Sequence, residues 1–415
     1  MKSARLCAFE VLDSVIRNNA YSNIAADKSA EELSSADRAF VSQLVFGVIE
    51  RRLTLDYIIN EYLTQRTKPK VKIILYIGAY QLYFMDKVPA SAAVNETVKL
   101  CDETGNGFYK PLVNAVLHKI DSNRIDIDSL ENEEVKYSCP QSLINMWKKQ
   151  YSEETAWDIL NTVNVIPPVF AVPNTLFLDS DELIYELMLE GVECEKAGAI
   201  VKIVSPLNIA KSKAFERGLY HIEDMSSYLC ATALNAKEVN TVIDVCSAPG
   251  GKAFTIAESM NGKGKVYALD LHEHRVELIK QGAARLSLEN IISFVNDALV
   301  FNPELPEADR ILCDVPCSGF GVIRRKPEIR YKDLDGIKEL PEIQYGILST
   351  SSKYLKDGGR LIYSTCTLNK KENEKVVERF LKENPAFKLI DSKTVIPSPD
   401  GGDGFYYAVT EKKND

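Results

Sequence analysis

Two cysteines with polar or proline neighbours give the strongest chemical signal in this sequence. Cys317 lies in the run DVPCSGFGVIRRKPEIR, which begins at Asp314, and Cys366 lies in the run YSTCT. A cysteine that follows a strand beside Pro, Ser or Thr can be exposed, and its thiolate is both a nucleophile and a competent leaving group. The alternative is that these thiols are small core residues, which is the better interpretation for Cys246 and Cys313.

Zinc binding is another alternative for the thiols. A zinc site needs four well-spaced ligands, and the neighbourhood adds only His272 and His274, so we predict no metal site. The nine cysteines show no disulfide-like spacing, and reduced thiols in a cytoplasmic protein are therefore expected.

A glycine-rich turn and two strand-end acids indicate a nucleotide-like cofactor. The turn differs from both G-x-G-x-x-G and the P-loop, but its glycines allow close backbone approach and the next helix offers free N–H groups. Asp270 can accept hydrogen bonds from ribose hydroxyls, and Asp297 holds the same position one strand later; the alternative for each is a helix N-cap. The turn consists of Cys246, Ser247, Ala248, Pro249, Gly250, Gly251 and Lys252.

Strand, turn and helix alternate from about Leu219 to the end of the chain. This order predicts a doubly wound, mostly parallel α/β sheet, whose ligand lies beyond the carboxyl ends of the strands. A candidate chemical residue follows each strand, including Asp244 after the first. The strand candidates are TVIDV (241–245), KVYALDL (265–271), IISFVND (291–297), RILCDVP (310–316) and GRLIYSTC (359–366).

The preceding residues predict two further parts. Residues 1 to about 120 repeat apolar positions at helical spacing, with Ser35 as a candidate N-cap, and indicate an all-α bundle. A polar, acidic stretch that ends in Pro140 predicts a linker, and a mixture of helices and short apolar runs follows it. We therefore expect an all-α domain at 1–125, a linker at 126–140, a small α+β subdomain at 141–218 and the α/β domain at 219–415.

The charge of the chain argues against a nucleic-acid partner at first sight. The net charge is −9, whereas phosphate binding needs basic surface. The acidity is uneven, however, because residues 1–120 carry +2 and the rest carries −11. Neither an export signal nor a membrane span is expected, since Glu10 and Asp13 interrupt the first apolar run and IILYIGAY (73–80) is too short.

The motifs resemble those of a known enzyme family. CSAPGGK, DVPCSGFGVIRRKPEIR and STCTLNKKEN are similar to the signature blocks of the RNA cytosine-5 methyltransferases that use S-adenosyl-L-methionine. The segments SADRAFVSQLVFGVIERR, VNAVLHKI and GGDGFYYAV (from Gly401) resemble the Sun/Fmu family of bacterial 16S ribosomal RNA enzymes, which carry a NusB-like domain. The resemblance covers nearly the whole chain and implies a Rossmann-like catalytic domain preceded by an all-α NusB-like RNA-binding domain and a small α+β RNA-recognition subdomain.

The resemblance also implies roles for individual residues. In the similar RNA enzymes the Thr-Cys residue adds to cytosine and the Pro-Cys residue assists release, which assigns addition to Cys366 and resolution to Cys317. The DNA enzymes use the Pro-Cys residue for addition, so the order of the cysteines alone does not assign them. Asp314 is expected either to accept from the cytosine amino group or to bind the methionine end of the cofactor. Lys252 is expected to face the methionine carboxylate or the active site, and its alternative is a solvated lysine at a helix start.

Two further segments are compared with blocks of the family, and a third is notable for its positive charge. The family commonly has P-P-x-x-x-R-V-N, and this chain has Val172 at the arginine, which could change RNA affinity or site choice. The block 223–227 (EDMSS) is expected either to line the pocket entrance or to cap a helix. The basic run at Arg324, Arg325 and Lys326, with Arg330 and Lys332, predicts a phosphate clamp rather than an ordinary solvated turn. Phe320 and Tyr331 could stack bases or pack the loop.

The sequence thus predicts a cytoplasmic, monomeric enzyme that methylates a cytosine of small-subunit ribosomal RNA before full assembly. The first alternative is the same chemistry on transfer RNA. The second is a non-catalytic RNA-binding or antitermination factor, which the intact cysteines and glycine turn disfavour. A nicotinamide dehydrogenase comes third, because it would leave both cysteines without a purpose.

Overall fold

The fold consists of two compact units, which a computed structural model describes at residues 2–18, 33–205 and 208–414. The first unit comprises Met1–Lys149 with Ile323–Lys332, and the second comprises Gln150–Val322 with Asp333–Asp415. The four-part division expected from the sequence stays a prediction. In the described parts of the chain, no helix is both long and apolar enough to cross a membrane.

The first unit is built from helices alone across its described residues, which confirms the predicted all-α character. Its core includes most of the fourth helix. This helix begins at Pro69, where the fixed φ of proline suits the first turn and its missing N–H is not needed. The N-cap of the second helix is Ser34 rather than Ser35, since the Ser34 side chain accepts from the Asp37 N–H. The helices are α1 Ala4–Asn18, α2 Ser35–Glu50, α3 Arg52–Asn60, α4 Pro69–Phe84, α5 Ala90–Glu103, α6 Lys110–Ser122, α7 Glu133–Lys136 and α8 Gln141–Gln150.

The basic run after Cys317 belongs to this helical unit, and the predicted phosphate clamp is wrong for two of its residues. Arg324 and Arg330 are buried, with Arg330 only 1 % exposed. The Arg330 guanidinium donates hydrogen bonds to the backbone oxygens of Glu50 (3.0 Å) and Ser138 (3.1 Å). These two arginines therefore stabilise the protein interior instead of meeting phosphate.

The two aromatic residues of the same loop pack against protein. Phe320 is fully buried, and the Tyr331 hydroxyl donates to the Ile49 backbone oxygen at 2.8 Å. The Arg52 guanidinium lies 3.6 Å from the centre of the Tyr331 ring. The expectation that they pack the loop is correct, and base stacking by these rings is not supported.

A small four-stranded antiparallel sheet forms the first part of the second unit, as the predicted α+β character requires. Val172 lies in its first strand, directly opposite His221, and is 2 % exposed. The buried Val172 side chain lines the inner part of a pocket of about 480 Å³ that reaches the surface at the exposed Lys237. The strands are β1 Val169–Pro173, β2 Cys194–Ala197, β3 Ile200–Ile203 and β4 Tyr220–Ile222, and the helices are α9 Glu153–Leu160, α10 Ser180–Leu189 and α11 Lys213–Glu216.

A seven-stranded, mostly parallel sheet forms the rest of this unit and confirms the predicted doubly wound fold. The strand order is β10-β11-β9-β8-β5-β6-β7, in which the five predicted strands are parallel and the two C-terminal strands, β10 and β11, are antiparallel additions. The strands are β5 Thr241–Asp244, β6 Lys265–Asp270, β7 Ile291–Val295, β8 Ala308–Asp314, β9 Leu355–Thr365, β10 Phe387–Val395 and β11 Phe405–Lys412. The helices are α12 Met225–Ala233, α13 Gly251–Ser259, α14 Glu273–Arg285, α15 Leu340–Ser351 and α16 Glu374–Glu383.

Candidate active site

The two cysteines meet at the carboxyl ends of neighbouring strands. Strand β8 pairs with β9 in parallel up to Asp314 opposite Ser364, so the residues that follow both strands leave the sheet side by side. As a result the Sγ atoms of Cys317 and Cys366 lie 3.3 Å apart, although 49 residues separate them in the chain. At this distance one thiol can donate its proton toward the other sulfur.

The surroundings of Cys317 favour its protonated form. The contact with Cys366 and burial raise the pKa of Cys317 well above its ordinary value, and the carboxylates of Glu372 and Asp314 add to this effect. A negative charge on Cys317 would thus face other negative groups in a poorly solvated place. This environment suits a residue that holds a proton.

An ion pair lies beside the thiols. The Lys252 Nζ is 2.7 Å from Asp314 Oδ2, and the Ser364 hydroxyl donates to Asp314 Oδ1 at 2.9 Å. Burial lowers the pKa of Lys252, but the carboxylates of Asp314 and Glu223 outweigh burial and hold that pKa above its ordinary value. The Lys252 side chain is only 14 % exposed, so the alternative of a solvated helix-start lysine is wrong.

The glycine turn between β5 and α13 forms a backbone cradle. Gly250 has φ = +116°, and a Cβ at this position would lie 2.4 Å from the ring of Phe254. The Ser247 N–H donates to the Leu269 backbone oxygen at 2.7 Å, which fixes the start of the turn against β6. Helix α13 starts at Gly251, and its first N–H groups have no partner within the helix.

The remaining turn residues have different surroundings. Cys246 is half-buried and contacts the sheet core, and burial raises its pKa well above the ordinary value. The Ala248–Pro249 peptide bond is cis. Asp244, at the end of β5, is buried, which raises the pKa of its carboxyl to about 7, and its Oδ1 has no hydrogen-bond partner among the described residues. An unpaired polar atom beside a glycine cradle fits a ligand with hydrogen-bond donors.

The two strand-end acids that were predicted to bind the cofactor already form local hydrogen bonds. Asp270 is buried, lies 3.1 Å from the Arg275 guanidinium and accepts from the His272 N–H at 3.2 Å. Asp297 is exposed and accepts from the Leu299 N–H at 2.9 Å. Neither acid is a helix N-cap, because the N-cap of α14 is His272 and a turn follows Asp297, so this alternative is wrong; their role toward a ligand stays a prediction.

Three loops meet behind the thiols through backbone contacts. The Gly321 N–H donates to the Cys366 oxygen at 3.0 Å, and the Gly404 N–H donates to the Gly321 oxygen at 2.9 Å. A Cβ on Gly321 would lie 1.9 Å from the Gly404 oxygen, so the approach requires glycine. The C-terminal GGDGF segment thereby supports the loop that carries Cys317 and, through Gly321, the loop that carries Cys366.

The EDMSS block has the capping role that was one of its two expected roles. Asp224 accepts from the Ser226 N–H at 2.9 Å at the start of α12. The same carboxylate accepts from the Asp403 N–H at 3.1 Å, and the Ser226 hydroxyl donates to the Asp403 oxygen at 2.8 Å. The block therefore also fixes the segment that follows Gly401.

A buried polar cluster that was not predicted lies on the other side of the turn. His221 is 3.5 Å from a carboxylate oxygen of Glu223 and 3.5 Å from one of Glu258. The Thr255 hydroxyl donates to Glu223 at 2.7 Å, and a Cβ on Gly251 would lie 3.3 Å from Glu223 Oε1. The cluster thus supports the first turn of α13. His221 lies in β4, Glu223 directly follows that strand, and Thr255 and Glu258 lie in α13, so only the packing of α13 against β4 brings them together.

Glu372 is the other site residue without a predicted role. It is fully buried, and its carboxylate accepts hydrogen bonds from groups on both thiol-bearing loops and on α15. The neighbouring Lys370 and Lys371 suggest a solvated turn, and nothing in the local sequence marks this acid as buried. In the described part of the chain, no group of three or more His, Cys, Asp or Glu residues could hold a metal ion.

Comparison with known proteins agrees with these features in both units. Residues 231–410 match the family described as 16S rRNA methyltransferase RsmB/F, and residues 2–122 match the NusB family. A relative in Bacillus subtilis, named probable ribosomal RNA small subunit methyltransferase B, is 36 % identical over 99 % of both chains. The ribosomal RNA small subunit methyltransferase B of Photorhabdus laumondii is 30 % identical over 93 % of each.

A solved structure is similar over the same length. The crystal structure of PH0851 superposes with a TM-score of 0.82 and 27 % sequence identity, and the match covers 98 % of this chain and 99 % of that one. Sequence relatives and this structure therefore agree on the architecture of both units.

Proposed function

Since this chain belongs to the RsmB/F family of 16S rRNA methyltransferases, we propose that it methylates carbon 5 of a cytosine in 16S ribosomal RNA through a covalent adduct with Cys366. Membership makes the protein an S-adenosyl-L-methionine-dependent ribosomal RNA methyltransferase. The observation that carries the finer proposal is the 3.3 Å contact between Cys317 and Cys366, beside the Lys252–Asp314 pair.

The chemistry of the base explains why a thiol is needed. Carbon 5 of cytosine is a poor nucleophile until the Cys366 sulfur adds to carbon 6 and makes carbon 5 enamine-like. S-adenosyl-L-methionine, when bound, supplies an electrophilic methyl group on a sulfonium sulfur. Carbon 5 would form the new C–C bond as the bond from the methyl group to the sulfonium sulfur breaks, and that sulfur would keep the electron pair as a neutral thioether. A base would then remove the carbon-5 proton, and the carbon-6–sulfur bond would break to release Cys366 as a thiolate.

The surroundings of Cys317 bear on this division of work. Contact with Cys366 and burial raise the pKa of Cys317, which disfavours a Cys317 thiolate as the nucleophile that adds to the base. Asp314 offers a fixed carboxylate acceptor, either to the cytosine amino group or to the methionine end of the cofactor, because Lys252 and Ser364 hold both of its oxygens in place. A base stacked in structured RNA must be extruded to reach this place.

The residues at the other strand ends fit the cofactor. The Gly250–Gly251 cradle and the free N–H groups of α13 suit the methionine carboxylate, and Asp270 suits the ribose hydroxyls. The unpaired Asp244 Oδ1 is an acceptor near the same turn. The proposed cofactor residues are Cys246, Ser247, Ala248, Pro249, Gly250, Gly251, Lys252, Asp270, Asp297 and Asp314.

Two cysteine variants test the mechanism. Cys366→Ala should abolish methyl transfer to RNA, whereas Cys317→Ala should accumulate a protein–RNA adduct that survives denaturing electrophoresis. Cys194→Ala is the matched control, because this half-buried thiol lies in the small sheet. Full turnover by the Cys366→Ala protein would overturn the assignment.

The RNA target is tested in cells. Bisulfite sequencing of total RNA from a deletion strain should show the loss of one 5-methylcytosine in 16S ribosomal RNA. Loss of a transfer RNA signal instead would assign the same chemistry to the other substrate. Absence of S-adenosyl-L-methionine binding in calorimetry would favour a non-catalytic RNA-binding factor.

A further inference from the structure

The loops that carry Cys317 and Cys366 share one buried anchor, the carboxylate of Glu372. Its Oε2 accepts from the Ser318 N–H (2.8 Å) and from Gln344 Nε2 (3.0 Å), and its Oε1 accepts from the Ser318 hydroxyl (2.6 Å) and Asn369 Nδ2 (2.8 Å). Each oxygen thus has two donors, which is close to the full capacity of a carboxylate.

The donors come from both sides of the thiol pair. Ser318 is the residue after Cys317, and Asn369 lies in the loop that begins at Cys366. A direct contact joins the same loops, since the hydroxyls of Ser318 and Thr367 are 2.7 Å apart and the Phe320 N–H donates to Thr367 Oγ1 at 3.2 Å. Glu372 therefore connects the two loops within one or a few residues of each sulfur.

The anchor depends on a carboxylate and not merely on a polar side chain of that size. All four groups donate to the carboxylate, and each of its oxygens accepts from at least one N–H group, so a glutamine here would turn its own NH₂ group toward an N–H donor in either orientation. Within the described residues Glu372 forms no ion pair, and its negative charge is balanced by these four dipoles alone. Loss of the charge should therefore weaken the network that joins the two loops.

We propose that Glu372 is a positioning residue that holds the sulfur atoms of Cys317 and Cys366 in contact by tying their two loops together. It touches neither sulfur and acts through Ser318 and Asn369. The roles of the two thiols rest on the proposed function, whereas the positioning effect is a property of the protein without RNA.

The first test measures how readily the two thiols join in the RNA-free full-length protein. Diamide removes two electrons and two protons from a pair of thiols, and the Cys317–Cys366 disulfide is quantified by peptide mass spectrometry. The Sγ atoms at 3.3 Å need to approach by about 1.3 Å to form an S–S bond of about 2.05 Å. Glu372→Gln should slow this reaction by about tenfold or more, because the loops no longer hold the sulfurs together. Glu378→Gln, an exposed acid in α16, should leave the rate unchanged.

A parallel measurement separates position from charge. Removing a negative charge could also make the thiols more reactive one by one, so the alkylation rate of each thiol with iodoacetamide is measured in the same variants. Positioning predicts slower disulfide formation at equal or faster alkylation. Slower disulfide formation that merely follows slower alkylation, or an unchanged disulfide rate, overturns the proposal.

The second test uses RNA and the covalent adduct. If Glu372→Gln misplaces Cys317 while Cys366 still adds to the base, this variant should accumulate the covalent adduct as Cys317→Ala does. The double variant Glu372→Gln/Cys317→Ala should then accumulate about as much adduct as Cys317→Ala alone. Ser318→Ala, which removes one of the four bonds, should show the same defects to a smaller degree and remains informative if Glu372→Gln does not fold. If Glu372→Gln does not fold, and Ser318→Ala forms the disulfide and the adduct as the wild type does, the positioning role is contradicted. If no variant forms adduct but the disulfide test succeeds, only the proposed function fails.

Discussion

The buried histidine beside the glycine turn should make the stability of this protein fall between neutral and alkaline pH. Burial lowers the pKa of His221, but the carboxylates of Glu223 and Glu258, each 3.5 Å away, outweigh burial and raise it to about 9. An unfolded histidine has a pKa of about 6.5, and each unit of difference corresponds to about 1.4 kcal/mol. The protonated histidine thus adds about 3 kcal/mol to the free energy of unfolding.

The direction of this pH effect follows from the number of protons that the folded and unfolded states bind. Between pH 6.5 and 9 the folded protein holds one proton more than the unfolded chain, so the free energy of unfolding falls as pH rises. The contribution is complete below about pH 6.5 and is lost as pH passes 9. Below the unfolded pKa both states bind the proton, and the histidine adds no further pH dependence.

Two measurements check this expectation. Histidine side-chain NMR should show one of the four imidazoles titrating near pH 9, assigned to His221 by its absence in His221→Gln. Urea unfolding compares the wild type with a variant in which His221, Glu223 and Glu258 are all glutamine, and the difference in unfolding free energy should shrink by about 3 kcal/mol between pH 6 and pH 9.5. The exposed His118→Gln is the control. A titration midpoint at or below 6.5, or a difference that does not depend on pH, would refute the reasoning.

Three substitutions test other parts of the structure. Lys252→Met leaves Asp314 without its cation, and single-turnover methylation should slow by about 100-fold or more; a rate within threefold of wild type would argue against the ion pair. Gly321→Ala places a Cβ 1.9 Å from the Gly404 oxygen, so both thermal stability and methylation should fall, and an unchanged Tm would contradict the contact. Arg330→Met leaves two backbone oxygens without their buried donor and should destabilise the helical unit by about 2–4 kcal/mol in calorimetry; a change below 0.5 kcal/mol would show that the bonds matter little.

The sequence predicted those elements whose local pattern and burial agree. The five parallel strands are short apolar runs bounded by Gly, Pro or Asp, and each was placed within a few residues. Strand β10 (Phe387–Val395) was missed because it is an edge strand with mostly exposed side chains, which gives no apolar run. Strand β11 (Phe405–Lys412) is buried and was not predicted either, because its motif GGDGFYYAV indicated only the family resemblance.

The site was predictable in type but not in arrangement. The Pro-Cys and Thr-Cys contexts identified Cys317 and Cys366, yet their contact depends on the parallel pairing of β8 and β9, which no local pattern contains. Arg330 and Glu372 also show that contacts between distant segments cannot be predicted from the local sequence. Each is a charged residue in a polar loop, and each is buried because backbone or amide groups distant in sequence satisfy it.

The burial of Arg324 and Arg330 changes how an acidic chain can bind ribosomal RNA. Of the five cations in the run from Arg324 to Lys332, only Lys326 and Lys332 are exposed, so this segment offers few phosphate contacts. Each contact to single-stranded RNA changes the slope of log K against log salt by about 0.7, and the salt dependence of RNA binding should therefore be shallow. Lys326→Gln should reduce the slope by about that amount if this lysine meets phosphate, whereas a steep slope that Lys326→Gln does not change would place the RNA on another basic surface.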